Sequence, residues 1–146
     1  MTRVTHRNML YFKQSMSWKT ETMTQRIHTS YNHVTPFITK DGSVIRELMH
    51  PAVHGNNRQS LAEALLPAGS ATLLHRHHLS EEIYHFTAGT GYMRLGDEEF
   101  MVTTGDTVCI PPGTPHALIN RGDEELRLLC CSSPPYSDED TELLNP

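Results

Sequence analysis

The sequence contains no long hydrophobic run, and this absence limits the classes of protein to which the chain can belong. No apolar stretch approaches the roughly 18 residues that a membrane-spanning helix needs. Near the amino end the longest apolar run covers only residues 9–12, which is too short for the apolar centre of a signal peptide. We therefore predict no membrane partner and a cytoplasmic location.

Cysteine and clustered positive charge are also scarce. The three cysteines, Cys109, Cys130 and Cys131, are odd in number and show no repeated spacing, so we interpret them as reduced core or wall residues. The formal net charge is -5 and no cluster of Lys and Arg occurs within residues 69–120, so nucleic acid is not an expected partner. The chain also lacks a helix-turn-helix pattern, which disfavours a one-chain transcription regulator.

A length of 146 residues suits one domain with a substantial core and is too short for two. Residues 1–30 are predicted to form a polar amino-terminal extension, and residues 31–133 the folded domain. Residues 134–146 form an acidic tail that we expect to pack as a short, partly helical surface segment.

From Val34 onward, short strand candidates alternate with turn residues, a pattern typical of a sandwich or barrel. Residues 37–39 and 44–49 would form an opening hairpin. Ser60–Leu66 has apolar residues on both faces, which predicts burial on both sides and favours a homodimer. Glu63 is the exception in this strand. We expect it to be an exposed carboxylate, with pairing across a subunit interface or with a nearby cation as the alternative.

A later hairpin is expected to turn at residues 87–91, with Met93 and Leu95 of its second strand facing inward. Residues 95–98 contain Gly-Asp, which suits a two-residue hairpin turn. A final apolar strand is predicted over residues 125–132.

Four side chains in the middle of the chain have the pattern of a metal site. If residues 75–77 lie on a strand, His75 and His77 project to the same side. Glu82 opens a second strand in which Glu82, Tyr84 and Phe86 share one face, and His116 follows a proline-rich turn at residues 110–115. Three imidazoles and one carboxylate suit a divalent first-row transition metal.

Several neighbouring residues are alternatives for this ligand set. By strand alternation, His78 faces away from His77 and His85 faces away from Glu82, so neither is a predicted ligand. Glu81 is the alternative to Glu82, and the face that Glu82 shares with the two aromatic residues favours Glu82. The same two aromatics, at positions 84 and 86, are expected to line a cavity.

These residues resemble the two sequence motifs of the cupin superfamily. The first motif is carried by Gly69, His75, His77, Glu82 and Gly89. The second is carried by Gly105, Pro111, Gly113, His116 and Asn120. The short segment between them, residues 90–104, resembles that of small single-domain cupins often labelled mannose-6-phosphate isomerase-like.

The resemblance implies an all-β fold, a single antiparallel jelly-roll β-barrel of the cupin type, usually a homodimer. It also implies one divalent metal ion, with Fe, Mn, Zn and Ni all left open. The implied function is a metal-dependent enzyme, a dioxygenase or an isomerase, acting on a small oxygen-rich molecule. A non-catalytic binding or sensing module and a purely structural barrel remain as alternatives. No cluster of Lys and Arg suited to a sugar phosphate is present.

Overall fold

The computed structural model describes residues 25–144, and these residues form an almost entirely β structure. Most of the polar extension predicted at residues 1–30 therefore lies outside the described residues. The described part contains one four-residue helix, α1 (Pro51–His54), and a short 3-10 turn (Tyr31–His33). The strands are β1 (Phe37–Ile38), β2 (Val44–Met49), β3 (Ser60–Leu66), β4 (His75–His77), β5 (Glu81–Ala88), β6 (Thr90–Leu95), β7 (Glu98–Thr103), β8 (Thr107–Ile110), β9 (His116–Ile119), β10 (Leu126–Ser133) and β11 (Thr141–Leu143).

The strands form two antiparallel sheets that face each other as a jelly roll. The strand orders are β1-β2-β3-β10-β5-β8 and β11-β4-β9-β6-β7. Neighbours in each sheet come from distant parts of the chain, as in the pairing of β3 with β10. The predicted all-β jelly-roll fold is confirmed.

Side-chain alternation explains where the core lies. Along β5 exposed and buried residues alternate strictly from Glu81 to Thr87, with Glu82, Tyr84 and Phe86 on the buried side. Met93 is fully buried as predicted. The largest buried apolar side chains come from both sheets: Phe86, Met93, Val102, Ile110, Leu126 and Leu128. The two inner faces therefore share one hydrophobic core.

The turn predicted at residues 87–91 is a corner between the sheets and not a hairpin. β5 belongs to the six-stranded sheet and β6 to the five-stranded sheet, and they do not pair. Gly89 stands at this corner with φ of 83°, and a Cβ there would lie 2.5 Å from the carbonyl oxygen of Glu125. The two-residue turn between β6 and β7 is confirmed, since Leu95 pairs with Glu98.

Two predictions about surface segments were wrong. Residues 141–143 of the acidic tail form β11, which pairs with β4 in the five-stranded sheet and is not helical. Glu63 is only 8% exposed, because Tyr31 covers it and donates a 2.5 Å hydrogen bond to its Oε2. The guanidinium of Arg127 also lies 3.6 Å from Glu63. The structure therefore agrees with the alternative prediction, in which Glu63 pairs with a nearby cation.

The cysteines are free thiols in different environments. Cys130 packs against the core, as predicted for a wall residue. Cys109 is exposed, which corrects its expected burial. Over the described residues 25–144, none of the helices is long and apolar enough to span a membrane.

Candidate metal centre

The four predicted ligands meet at one buried point between the two sheets. His75 and His77 lie on β4, and His116 begins β9 directly opposite His75 in the strand register. Glu82 reaches the same point from β5 in the other sheet. One ligand atom from each of the four residues lies within 4.8 Å of every other, and all four side chains are buried. The group can therefore hold one metal ion.

The contacts inside this group fit a cation. Glu82 Oε2 lies 3.1 Å from His77 Nε2 and 3.3 Å from His116 Nε2. Among the described residues, neither Glu82 Oε2 nor His116 Nε2 has a hydrogen-bond partner, although both atoms are buried. Buried polar atoms without partners are costly, and a divalent ion coordinated by both would remove that cost. The three imidazoles and the carboxylate are also a donor set that first-row transition metals accept.

The ring nitrogens that face away from the centre are held by the backbone. His75 Nδ1 lies 2.8 Å from the carbonyl oxygen of Leu73, and His116 Nδ1 lies 2.9 Å from that of Thr114. A carbonyl only accepts, so each Nδ1 must carry the proton and each Nε2 is left with its lone pair toward the centre. Such outer hydrogen bonds fix the tautomer and the ring orientation of metal-binding histidines.

A hydroxyl from the carboxy-terminal segment does the same for His77. Thr141 Oγ1 donates to the carbonyl oxygen of Ser137 at 2.8 Å and lies 3.1 Å from His77 Nδ1. Because its proton is committed to that carbonyl, the hydroxyl accepts from Nδ1 and leaves Nε2 free for a metal. The segment expected to be a surface tail thus completes the site.

The two carboxylate oxygens of Glu82 have different environments. Ser132 Oγ donates a 2.7 Å hydrogen bond to Oε1, while Oε2 faces the histidines. Burial opposes ionisation of Glu82, but the attraction of His116 and His77 outweighs it and the pKa is lowered. Glu82 is therefore a carboxylate with one oxygen oriented by the protein and the other offered to a metal.

The pKa values of His75 and His77 are shifted in opposite directions. Burial, together with the neighbouring His116, lowers the pKa of His75 to about 4. Burial also opposes protonation of His77, but the interaction with Glu82 outweighs it and raises the pKa. His75 is therefore a neutral donor at neutral pH, whereas His77 holds a proton more strongly than a free imidazole does, and a metal that binds there must displace it.

A cavity with about 590 Å³ of empty space, including its mouth, adjoins the group. It is lined by Thr39, Asp41, Ser43, Ile45, Glu47, Ser60, Ala62, Ala64, Thr72, His75, His77, Glu82, Tyr84, Leu118, Leu128, Cys130, Ser132, Tyr136 and Thr141. Tyr84 lines it as predicted, and burial raises the pKa of its phenol well above the usual value. Phe86 does not line it, because this ring is fully buried in the core one rung further along β5.

The histidines excluded by strand alternation lie on the surface. His78 is half-exposed and its Nε2 lies 3.1 Å from Glu142, and His85 is exposed beside Thr107. Neither belongs to the group of converging ligand atoms. The placement of His75, His77 and Glu82, and the separation of the two surface histidines from them, follow the alternation, and His116 joins the group from β9.

Sequence reasoning missed the cavity residues that come from the ends of the domain. Asp41 and Glu47 come from the β1–β2 hairpin, and Tyr136 and Thr141 from the carboxy-terminal segment. Asp41 lies in a Lys-Asp-Gly-Ser turn, whose composition already accounts for an aspartate. A usable signal was the inward side of β2, where Glu47 shares a face with buried Ile45.

Residues 62–132 match the family model of the cupin domain. Together with the jelly-roll fold and the buried ligand group, this match shows that the chain belongs to the cupin family. Among its relatives, Uncharacterized protein MJ1618 of Methanocaldococcus jannaschii is 57% identical over 118 residues, which cover 81% of this chain and 94% of that protein.

Two further similarities come from Thermotoga maritima. Its Oxalate-binding protein is 30% identical over 84 residues, which cover 58% of this chain and 65% of that protein. The crystal structure of a predicted oxalate decarboxylase superimposes with a TM-score of 0.64 and 22% identity, covering 72% of this chain and 96% of that chain. At this identity the structural likeness shows the fold alone.

Proposed function

We propose that this chain is a metal-dependent enzyme, of the dioxygenase or isomerase type, that acts on a small oxygen-rich molecule. The observation that carries the proposal is the pair of buried atoms without partners, Glu82 Oε2 and His116 Nε2, next to an open cavity. A structural cation could be enclosed completely, whereas this group has accessible space on one side. The metal would be Fe, Mn, Zn or Ni.

The residues of the site have distinct roles in this proposal. His75, His77, Glu82 and His116 would hold the ion, which when bound supplies a Lewis acid that orients and polarises a substrate oxygen. Ser132 fixes the orientation of the Glu82 carboxylate through its 2.7 Å hydrogen bond. Buried Tyr84 keeps its proton at neutral pH because its pKa is raised, so its hydroxyl can donate to a substrate oxygen.

The test begins with elemental analysis of protein purified without an affinity tag. The protein is then loaded anaerobically with Fe(II) and mixed with hydroxy acids, diketones and sugars before oxygen is admitted. Oxygen uptake that depends on one compound supports a dioxygenase, and an isomerised product without oxygen uptake supports an isomerase. Activity should be absent in His116→Ala and retained in His85→Ala, which removes an exposed imidazole.

The second candidate is a non-catalytic binding or sensing protein. It is favoured by the 30% identity over 84 residues to the Oxalate-binding protein of Thermotoga maritima. In this case the same compounds would bind the metal-loaded protein tightly and be recovered unchanged. Binding without product for every compound that binds would contradict the enzyme proposal.

We further propose that the partners are a small-molecule ligand and a second copy of the chain, with no role for nucleic acid or a membrane, and that the protein is cytoplasmic. The homodimer is supported by Leu61 and Leu65, which are only half-buried on the outer face of β3. Sedimentation equilibrium tests the dimer, and a monomer at micromolar concentration would contradict it.

A further inference from the structure

The cavity beside the ligand group is rich in negative and hydroxyl groups. Its lining includes the carboxylates of Asp41, Glu47 and Glu82 and no Lys or Arg. The remaining polar side chains at its wall are mostly hydroxyls, those of Thr39, Ser43, Ser60, Thr72, Tyr84, Ser132, Tyr136 and Thr141. Three carboxylates outweigh the charge of one divalent ion, so a ligand with its own negative charge would meet repulsion that no side chain of the lining offsets.

Of these carboxylates, Asp41 is already used by the protein. Its Oδ1 accepts hydrogen bonds from Thr39 Oγ1 at 2.6 Å and from Ser43 Oγ at 2.8 Å. Its Oδ2 lies 3.9 Å from His75 Nδ1. Asp41 therefore stabilises its own turn and the back of one imidazole, and it has little remaining capacity to bind a ligand.

Glu47 is different, because its Oε1 is buried and has no hydrogen-bond partner among the described residues. Two of the other buried atoms without partners belong to the metal group, and the last two, on Arg46 and Asn56, belong to residues that do not line the cavity. Burial raises the pKa of the Glu47 carboxyl, with nearby His50 opposing the rise. A donor from a ligand would offset this desolvation.

The strand register places Glu47 on β2 of the same sheet as Tyr84 and Glu82 of β5, with β3 and β10 between them. Glu47 pairs with Ala62, Ala62 with Cys130, and Cys130 with Tyr84, so the four residues form one rung across the inner face of the six-stranded sheet. Glu82 begins the next rung, two residues before Tyr84 on β5. A molecule coordinated at the metal group and extending over this rung would end at Glu47.

We propose that Glu47 is a specificity-determining residue that accepts a hydrogen bond from an uncharged, hydroxyl-bearing molecule bound between it and the metal centre, and that it disfavours carboxylates and phosphates at that end. The inference rests on the proposed function and adds the substrate class. A hydroxyl donor satisfies Oε1, whereas an added anion would face Glu47 at short range in a cavity without a cationic side chain, and this repulsion would weaken its binding.

The experiment compares dihydroxyacetone with hydroxypyruvate, which has the same carbon skeleton but a carboxylate in place of one hydroxymethyl group. Calorimetric titration at pH 8 would measure the binding of each to wild-type protein, Glu47→Gln and Glu99→Gln, all loaded with Zn(II). The Glu99 variant changes the net charge equally at an exposed pair with Arg121. Melting temperature and bound zinc are measured first for each protein.

We expect Glu47→Gln to bind hydroxypyruvate at least about tenfold more tightly than wild type, which corresponds to about 1.4 kcal/mol. Dihydroxyacetone should bind wild type and should not gain affinity in Glu47→Gln, and Glu99→Gln should match wild type with both probes. Equal affinities of wild type and Glu47→Gln for hydroxypyruvate, or no binding of dihydroxyacetone to the zinc-loaded wild type, would overturn the inference alone. Failure of the wild type to take up zinc would instead overturn the metal centre and with it the proposed function.

Discussion

Asn120 allows the structural part of the second motif to be separated from its metal-binding part. Its side chain is 1% exposed and makes three hydrogen bonds. Nδ2 donates to the carbonyl oxygens of Leu66 at 3.0 Å and Glu124 at 2.8 Å, and Oδ1 accepts from the backbone N–H of Gly122 at 3.1 Å. None of these partners is a metal ligand, so Asn120→Ala should weaken the fold and leave the ligand group intact.

The magnitude follows from the three bonds. Each intramolecular hydrogen bond contributes about 1 kcal/mol net, and truncation leaves buried partners unsatisfied, so the free energy of unfolding should fall by about 3 kcal/mol. In a domain of this size about 1 kcal/mol shifts the melting temperature by roughly 2–4 °C. Asn120→Ala should therefore melt about 6–12 °C below wild type.

The assay is thermal unfolding of the metal-free proteins, since bound metal would add its own stabilisation, followed by zinc uptake at low temperature. Asn56→Ala is the matched control. Asn56 Nδ2 donates one bond, to the carbonyl oxygen of Gln59, in an exposed loop, so this change should cost less than about 1 kcal/mol. An Asn120→Ala protein that melts like wild type but takes up no zinc would refute the structural role.

Three further predictions test the ligands, their protonation and the sheet corner. His75→Ala should abolish stoichiometric metal uptake measured by elemental analysis, whereas His78→Ala should retain it, and the reverse result would contradict the ligand set. Because the pKa of His77 is raised, metal must displace its proton, so affinity measured by chelator competition should fall about tenfold per pH unit below that pKa. An affinity that stays constant until pH approaches the value of about 4 for His75 would contradict this. Gly89→Ala should lower the free energy of unfolding in urea by at least about 2 kcal/mol, because it combines a positive φ with a clash. Gly105→Ala, which has a positive φ but free space, should lower it by about 1 kcal/mol. Equal losses in the two variants would exclude the clash.

Three of the four ligands could be predicted from sequence because their placement depends on local geometry, whereas His116 lies on β9 and is indicated by the proline-rich turn and the second motif. His75 and His77 share a face through strand alternation alone, and the same rule selected Glu82 within β5. Alternation also separated His78 and His85 from the ligands. These predictions required only that short segments be strands, and the structure has β4 and β5 where the pattern indicated.

What could not be predicted depends on partners far away in the chain. Glu63 is buried because Tyr31, 32 residues earlier, covers it, and a strand pattern around Glu63 contains no information about that segment. The sequence around Gly89 predicts a hairpin, because a tight turn between two strands has the same local composition whether the strands pair or belong to different sheets. In both cases the local pattern correctly indicates strands and turns, but the outcome depends on contacts with residues far away in the chain.

The two ends of the domain meet behind the ligands. Lys40 Nζ donates to the carbonyl oxygens of Thr141 at 2.6 Å and Asp138 at 3.1 Å, which ties the β1–β2 turn to the carboxy-terminal segment. Through this contact Asp41, behind His75, and Thr141, behind His77, are held in one unit.

Both of these supporting residues lie outside residues 62–132, the part that matches the cupin domain, while all four ligands lie inside it. Glu47, the residue proposed to select the substrate, also lies outside. Outer hydrogen bonds control the orientation and basicity of metal-binding histidines. The matched region therefore contains the four residues that can hold a metal ion, and the ends of the chain supply outer contacts to His75 and His77 together with the residue proposed to select the substrate. Differences between this chain and other cupins with the same four ligands should therefore be sought in β2 and in the segment that ends in β11.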